Sequence, residues 1–278
     1  MNEHIYQIYY DERTRGQLDP GFVPLDNLAN ARPDWREYWP IRRFLLSETL
    51  VEDHRYGFLS PRFKNKTDLS SDDVKEFVAQ SGSETDVVIF SPFFDMSALF
   101  LNVFEQGDFF IPGFLETAQE FVNWLGLKIS VEGLITDSRN TVFCNYLVAK
   151  PRFWRAWLDV AEKLYQVAEA PSEHPELNRR LNQAIKRRNE AVQVKVFVLE
   201  RLASLILATT KTFATKACPP CGLTRSRAEG YTVALESVIC DALKTSFIEQ
   251  GNALYREAFA RVRQRALDSM RARWTRGA

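Results

Sequence analysis

Residues 86–92 read DVVIFSP. The apolar run Val87-Val88-Ile89-Phe90 leaves no polar position for water on either side. That is the pattern of a strand buried on both faces of a parallel sheet, not the in–out alternation of a strand with one wet face. The run stops at Ser91-Pro92. Upstream, YGFLSPRF (56–63) repeats the device, with a β-prone segment Tyr56–Ser60 halted by Pro61. Between the two, Ser70 stands three residues before Asp73 in a capping-box arrangement. Val74, Phe77 and Val78 give the helix behind it an apolar face.

Moving outward, Ile5–Tyr10 is a short β-prone run ending at Asp11-Glu12, and Gly21–Leu25 is extended and stops at Asp26-Asn27. WREYWPIRRFLLSETL (35–50) reads as a helix after Pro40, with Ile41, Phe44 and Leu45 at helical spacing. Residues 114–125 form another helix, 141–148 are apolar and β-rich, and 152–168 carry one wide apolar stripe that fits core packing. Strands and helices taking turns predict an α/β fold with a mostly parallel central sheet and flanking helices over residues 1–170. A polar, proline-bearing break (VAEAPSEHPE, 167–176) leads into a helical C-terminal region, 171–278, packed on that core. There Arg179-Arg180 and Lys186-Arg187-Arg188 flank a solvated helix, Val194–Leu207 is apolar nearly all round, and the chain from Tyr231 makes one long helix or two.

Composition narrows the function classes. Of 278 residues 45% are hydrophobic, enough for a full core, and 36 basic residues balance 36 acidic ones. Zero net charge argues against a globally basic nucleic-acid binder. No run approaches the roughly 20 apolar residues of a membrane helix, and MNEHIYQIYYDE (1–12) lacks a signal-peptide core, so the expected location is cytoplasmic. The basic tail, 251–278, sets seven arginines against Glu257 and Asp268, a net +5. Peripheral contact with an anionic membrane, packing on a partner subunit and a plain solvated helix all stay open for it. Cys218-Pro-Pro-Cys221 has the spacing of half a zinc site or a redox pair, but His4, His54 and His174 are scattered, which favours a Pro-rich turn with two incidental thiols. Phosphate loops of the GxxxxGK and GxGxxG types are absent, as are GxSxG and HExxH.

Ligands of open α/β sheets bind outside the carboxyl ends of the strands, and this sequence puts its polar groups there. Tyr10 and Asp11 follow the first strand, and Asp26 and Asn27 the second. Ser60, Arg62, Lys64 and Lys66 follow the third, and Ser91 with Asp95 the fourth. Three cations within five residues suit an anionic ligand such as a diphosphate, arginine as a bidentate fork and lysine as a point charge.

Taken in order, IYQIYYDE (5–12), YGFLSPRF (56–63), DVVIFSP (86–92), FCNYLVAKPRFWRAWL (143–158) and FVLERLASLIL (197–207) resemble the bacterial polysaccharide glycosyltransferases of GT-A-like fold found among capsule and O-antigen functions. The likeness spans roughly residues 3–207 and rests on spacing and order. The family's His-Tyr-Arg-Arg turn is Ser60-Pro61-Arg62-Phe63 here, and a clean Asp-x-Asp is missing. The resemblance implies transfer of a sugar from a nucleotide-sugar donor to a hydroxyl of a glycan or lipid-linked acceptor, without nucleic acid. It implies donor contacts from Tyr10, Asp11, Asp26, Asn27, Tyr56, Ser60, Arg62, Lys64 and Lys66. A base would come from Asp95, Asp137 or Glu105, with Asn145 and Glu200 orienting the acceptor. The implied cofactor is Mg²⁺ or Mn²⁺ held by Asp95, and the metal-free alternative is neutralisation of the diphosphate by Arg62, Lys64 and Lys66. Two other readings stand beside it: a non-catalytic binding or assembly module of the same fold, and a helical nucleic-acid partner using Arg179–Arg188 and the tail.

Overall fold

The computed structural model describes residues 2–187, 190–219 and 233–274. These hold the strands β1 (Glu3–Tyr9), β2 (Val23–Asp26), β3 (Arg55–Leu59), β4 (Val87–Ile89), β5 (Leu147–Ala149), β6 (Ala184–Arg187), β7 (Glu190–Gln193) and β8 (Thr215–Ala217). The helices are α1 (Glu12–Arg15), α2 (Tyr38–Ser47), α3 (Phe63–Thr67), α4 (Ser71–Ala79), α5 (Phe94–Leu99), α6 (Val103–Phe110) and α7 (Phe114–Trp124). They continue with α8 (Pro151–Glu169), α9 (Pro175–Asn182), α10 (Val194–Leu199), α11 (Leu202–Thr209), α12 (Ala234–Gln250) and α13 (Ala253–Trp274).

Six strands form the central sheet in the order β2-β1-β3-β5-β4-β8. The β1–β2, β1–β3 and β4–β8 pairs are parallel, and β5 runs antiparallel to both its neighbours. The sheet is therefore mostly parallel, as the continuous apolar runs require, with one reversed strand in the middle.

Side chains alternate across a strand, and both faces here are covered. Ile8, Phe58, Val87, Ile89, Leu147 and Ala149 point to the face that carries Tyr38 and Ile41 of α2 and Trp154 and Trp157 of α8. Ile5, Leu59, Val88, Phe90 and Val148 point to the other, where Phe63 of α3 and Val74 and Val78 of α4 meet them. The Ser70 capping box is present, its hydroxyl accepting from the Asp73 N–H while the Asp73 carboxylate accepts from the Ser70 N–H.

The region beyond residue 170 is not helical throughout. It supplies β8, the sixth strand of the sheet, and an antiparallel hairpin, β6–β7, where the clustered basic residues suggested a helix. The apolar segment 194–207 is two short helices, α10 and α11, parted at Glu200-Arg201. Beyond it α12 and α13 are separate helices, broken at Gly251, which takes a left-handed conformation at φ +68°. Among the described residues no helix is long and apolar enough to cross a membrane.

Asp86 ties β4, α8 and the approach to β8 into one knot. Its carboxylate accepts from Arg152 Nε at 2.6 Å, from a second guanidinium nitrogen of Arg152, and from the Ala214 N–H at 2.8 Å. Burial would raise its pKa, but these bonds and the charges of Arg152 and Lys150 outweigh it and hold the group below the usual aspartate range. A folded-state pKa below the unfolded value means the contribution is complete above pH 3.8 and is lost as pH falls through the folded value. Asp86→Ala is expected to cost about 2 kcal/mol, the scale of a buried acceptor whose partners are left unpaired. It should also flatten the acid limb of the stability curve. Urea titrations at pH 7 and below pH 4 measure both, and an unchanged midpoint would show that the knot is not a stability determinant.

Candidate functional site

The strand order fixes where a crevice can open. From β1 the chain goes to β2 on one side, then crosses back to β3 on the other. The carboxyl ends of β1 and β3 are thus a topological switch point, where loops diverge and leave a gap. A cleft of about 410 Å³ lies there. Its floor is Ile8 and Tyr10 from the end of β1, Asn27 from the end of β2, and Pro61 and Arg62 after β3. Asn30, Pro33, Arg36 and Glu37 form one wall, and Glu190, Val192, Val196, Phe197 and Glu200 the other. A chamber of about 20 Å³ adjoins it, lined by Trp35, Tyr38, Ser60, Cys144, Asn145 and Leu199. Arg36, Glu37, Lys66, Val196 and Glu200 border both spaces.

The 30–37 wall is held by charge. Lys195, buried on α10, donates to Asp34 at 2.8 Å, and Arg32 bridges Asp34 at 2.8 Å and Glu169 of α8 at 2.7 Å. Trp35 Nε1 donates to the same Glu169 at 3.0 Å. Burial pushes the Asp34 pKa up, but Arg32 and Lys195 prevail and bring it down to about 2. Across the mouth, Arg36 pairs with Glu190 of β7 at 2.9 Å.

Backbone strain gathers at the same place. Among the described residues six non-glycine residues have positive φ, and four of them line the cleft or the chamber: Asn30 (36°), Arg36 (50°), Cys144 (62°) and Asn145 (54°). Left-handed conformations of side-chain-bearing residues cost energy and persist where the surroundings over-determine them, often at functional sites.

α3 is short, and residues two apart on a helix face different ways. It carries Lys66 into the site and leaves Lys64 exposed on the outside. Lys66 Nζ donates to Cys144 Sγ at 3.1 Å and lies 5.6 Å from the centre of the Tyr146 ring. Burial alone would pull its pKa down; Cys144, Tyr146 and Glu200 offset this and hold it above the usual lysine range. Lys66 is thus a half-buried, charged ammonium. Burial pushes the Cys144 thiol up to about 11, against the pull of Lys66. Ser60 and Tyr146 share a hydroxyl–hydroxyl hydrogen bond of 2.5 Å that joins the end of β3 to the start of β5.

Of the residues singled out in the sequence, Tyr10, Asn27, Ser60, Arg62, Lys66, Asn145 and Glu200 converge on this cleft and chamber. The others do not line it. Asp11 caps α1, accepting from the Thr14 N–H at 2.7 Å. Asp26 is exposed and accepts from the Leu28 N–H at 2.8 Å. Tyr56 lies towards the other end of β3, its hydroxyl accepting from the Val51 N–H at 3.0 Å. Asp95 is buried in the first turn of α5. Asp137 is buried and accepts from Arg139 and Thr245, each at 2.9 Å, tying its loop to α12. Glu105 accepts from the Leu101 N–H at 2.6 Å and pairs with Arg263 of α13 at 2.7 Å. These last two carboxylates fasten the C-terminal helices to the core. Cys218 donates its N–H to the Ile89 carbonyl at 2.8 Å, and Cys221 lies outside the described residues.

Sequence reasoning missed Arg13, Asn30, Arg36, Glu37 and Glu190. The available signal was the density of charge in ARPDWREYWP (31–40), which helical spacing after Pro40 obscured. Among the described residues no group of three His, Cys, Asp or Glu side chains is placed to hold a metal ion. No protein-family model, curated protein or solved structure matches the chain.

The raised thiol gives a direct check on the chamber. Cys144 is expected to react with iodoacetamide at pH 7.5 about 10²-fold more slowly than a free cysteine peptide, because the thiolate is the nucleophile. Mass spectrometry of the tryptic peptide follows this, and alkylation at the free-peptide rate would show that the half-buried Cys144 thiol is not raised.

Proposed function

We propose that the cleft binds a nucleoside-diphosphate sugar and transfers the sugar to a hydroxyl acceptor, in the manner of the GT-A-like polysaccharide glycosyltransferases the sequence resembles. One observation carries the reading: five polar residues picked from the sequence for their positions after strands, Tyr10, Asn27, Ser60, Arg62 and Lys66, and two picked from the resemblance, Asn145 and Glu200, border the cleft and its adjoining chamber at the β1–β3 switch point. Its volume lies within the roughly 300–1,000 Å³ of small-molecule sites. A mostly parallel sheet with one reversed strand fits the same reading.

The roles follow from the chemistry of the side chains. Tyr10, Asn27 and Asn30 offer a ring and two carboxamides to a nucleoside. Arg13 and Arg62, both exposed, and half-buried Lys66 meet the diphosphate, whose negative charge grows as the glycosidic bond breaks. The acceptor hydroxyl attacks the anomeric carbon, and its proton passes to a carboxylate. Glu37 is the best placed for that role: it borders both cleft and chamber, and its carboxylate makes no hydrogen bond or ion pair with a described residue. Glu190 is engaged with Arg36, and Glu200 lies beside Lys66 to orient the reacting groups.

A panel of UDP-, GDP-, CMP- and dTDP-sugars is expected to contain one that raises the melting temperature, since a ligand of the native state alone stabilises it. Arg62→Ala with Lys66→Ala should abolish the shift. Glu37→Gln should keep it and lower turnover by about 10²-fold or more. A panel with no shift would end the transferase reading, and binding without turnover in the wild type would assign the non-catalytic module instead.

A further inference from the structure

Asn145 is 6% exposed and lines the chamber, and its carboxamide Oδ1 is buried without a hydrogen-bond partner. Buried acceptors are almost always satisfied, so an orphan needs an explanation. This one is set with care. Cys144 and Asn145 both adopt left-handed backbone at the entry to β5, and the Ser60–Tyr146 bond fixes the next residue. The chamber, about 20 Å³, has room for one group the size of a water molecule. Around it stand two cations, Arg36 and Lys66, and the carboxylates of Glu37 and Glu200, a balanced set that suits a neutral polar group.

Resting on the transferase reading, we propose that the chamber is the seat of one hydroxyl of the transferred sugar, so that the donor must carry that hydroxyl free and unreduced to hydrogen. A hydroxyl gives its proton to Asn145 Oδ1, and its oxygen accepts from the Lys66 ammonium, which has three N–H donors and spends one on Cys144. A deoxy sugar leaves Oδ1 unpaired, and sites built to bond a substrate hydroxyl reject the analogue that lacks it.

Calorimetric titration tests this with UDP-glucose, UDP-galactose and GDP-mannose, the tightest binder then being compared with its monodeoxy analogues. One deoxy analogue is expected to bind about 10- to 100-fold more weakly than the parent, the range set by one unpaired buried acceptor. Asn145→Gly, which tolerates positive φ, should bind the parent and that deoxy analogue alike while its affinity for the free nucleoside diphosphate stays at the wild-type value. Asn145→Asp, which keeps an acceptor, should keep the preference. Equal binding of parent and deoxy sugars by the wild type, or discrimination that survives Asn145→Gly, overturns the hydroxyl seat and leaves the transferase reading standing. Failure of every nucleotide and nucleotide sugar to bind overturns both.

Discussion

Three residues hold the two halves of this protein together. β3 is bonded on one side to β1, and through it to β2, and β4 on the other to β8; Leu147, Val148 and Ala149 of β5 are what joins them in the sheet. All three are fully buried. The side chains of the strand serve both faces of the sheet at once, Leu147 and Ala149 on the α8 side, Val148 on the α3–α4 side. Because β5 is reversed, the loop that enters it arrives at the rim where the parallel strands leave. That reversal delivers Cys144 and Asn145 next to Ser60 and Lys66, and the chamber exists only because of it.

The electrostatics of the site follow from how its pieces are fastened. The 30–37 wall is pinned from behind by Lys195, Arg32 and Glu169, so Arg36 and Glu37 are presented by a braced segment. Lys66 is fixed by its helix on one side and by Cys144 on the other. Fixed charges in a partly enclosed space need not reorganise when a charged ligand arrives, which is what an electrostatic role in transfer demands.

The sheet was legible because buried strands have few ways to be written. DVVIFSP and YGFLSPRF each end in a proline at the point where the strand stops, and the Ser70–Asp73 box announces its helix through local hydrogen bonds alone. The direction of β5 was not legible: a short apolar strand reads the same forwards and backwards, and only its two neighbours decide. The solvated helix read between Arg179-Arg180 and Lys186-Arg187-Arg188 instead ends at Asn182, and pairing of Ile185 with Val192 makes the following residues a hairpin. For the site, position after a strand found Tyr10, Asn27, Ser60 and Arg62. It could not find Arg36 and Glu37, which come from a wall folded over the rim by contacts with α8 and α10. Isolated carboxylates were a poor guide to chemistry. Asp137 and Glu105 stand alone in sequence because their partners, Thr245 and Arg263, are more than a hundred residues further along the chain.

The sixth strand has a bearing on how the molecule is made. β8 is only three residues long and pairs with β4 across more than a hundred intervening residues. Until residues 215–217 leave the ribosome, the outer edge of β4 has no bonding partner there, and its valines and isoleucine sit on an open border of the kind that invites association with other nascent chains. Lys216, whose ammonium reaches the Gln80 carbonyl at 2.7 Å, then puts a charge on the finished border. Completion of the sheet thus waits for β8, and a chain cut short ahead of it carries the β4 edge uncovered.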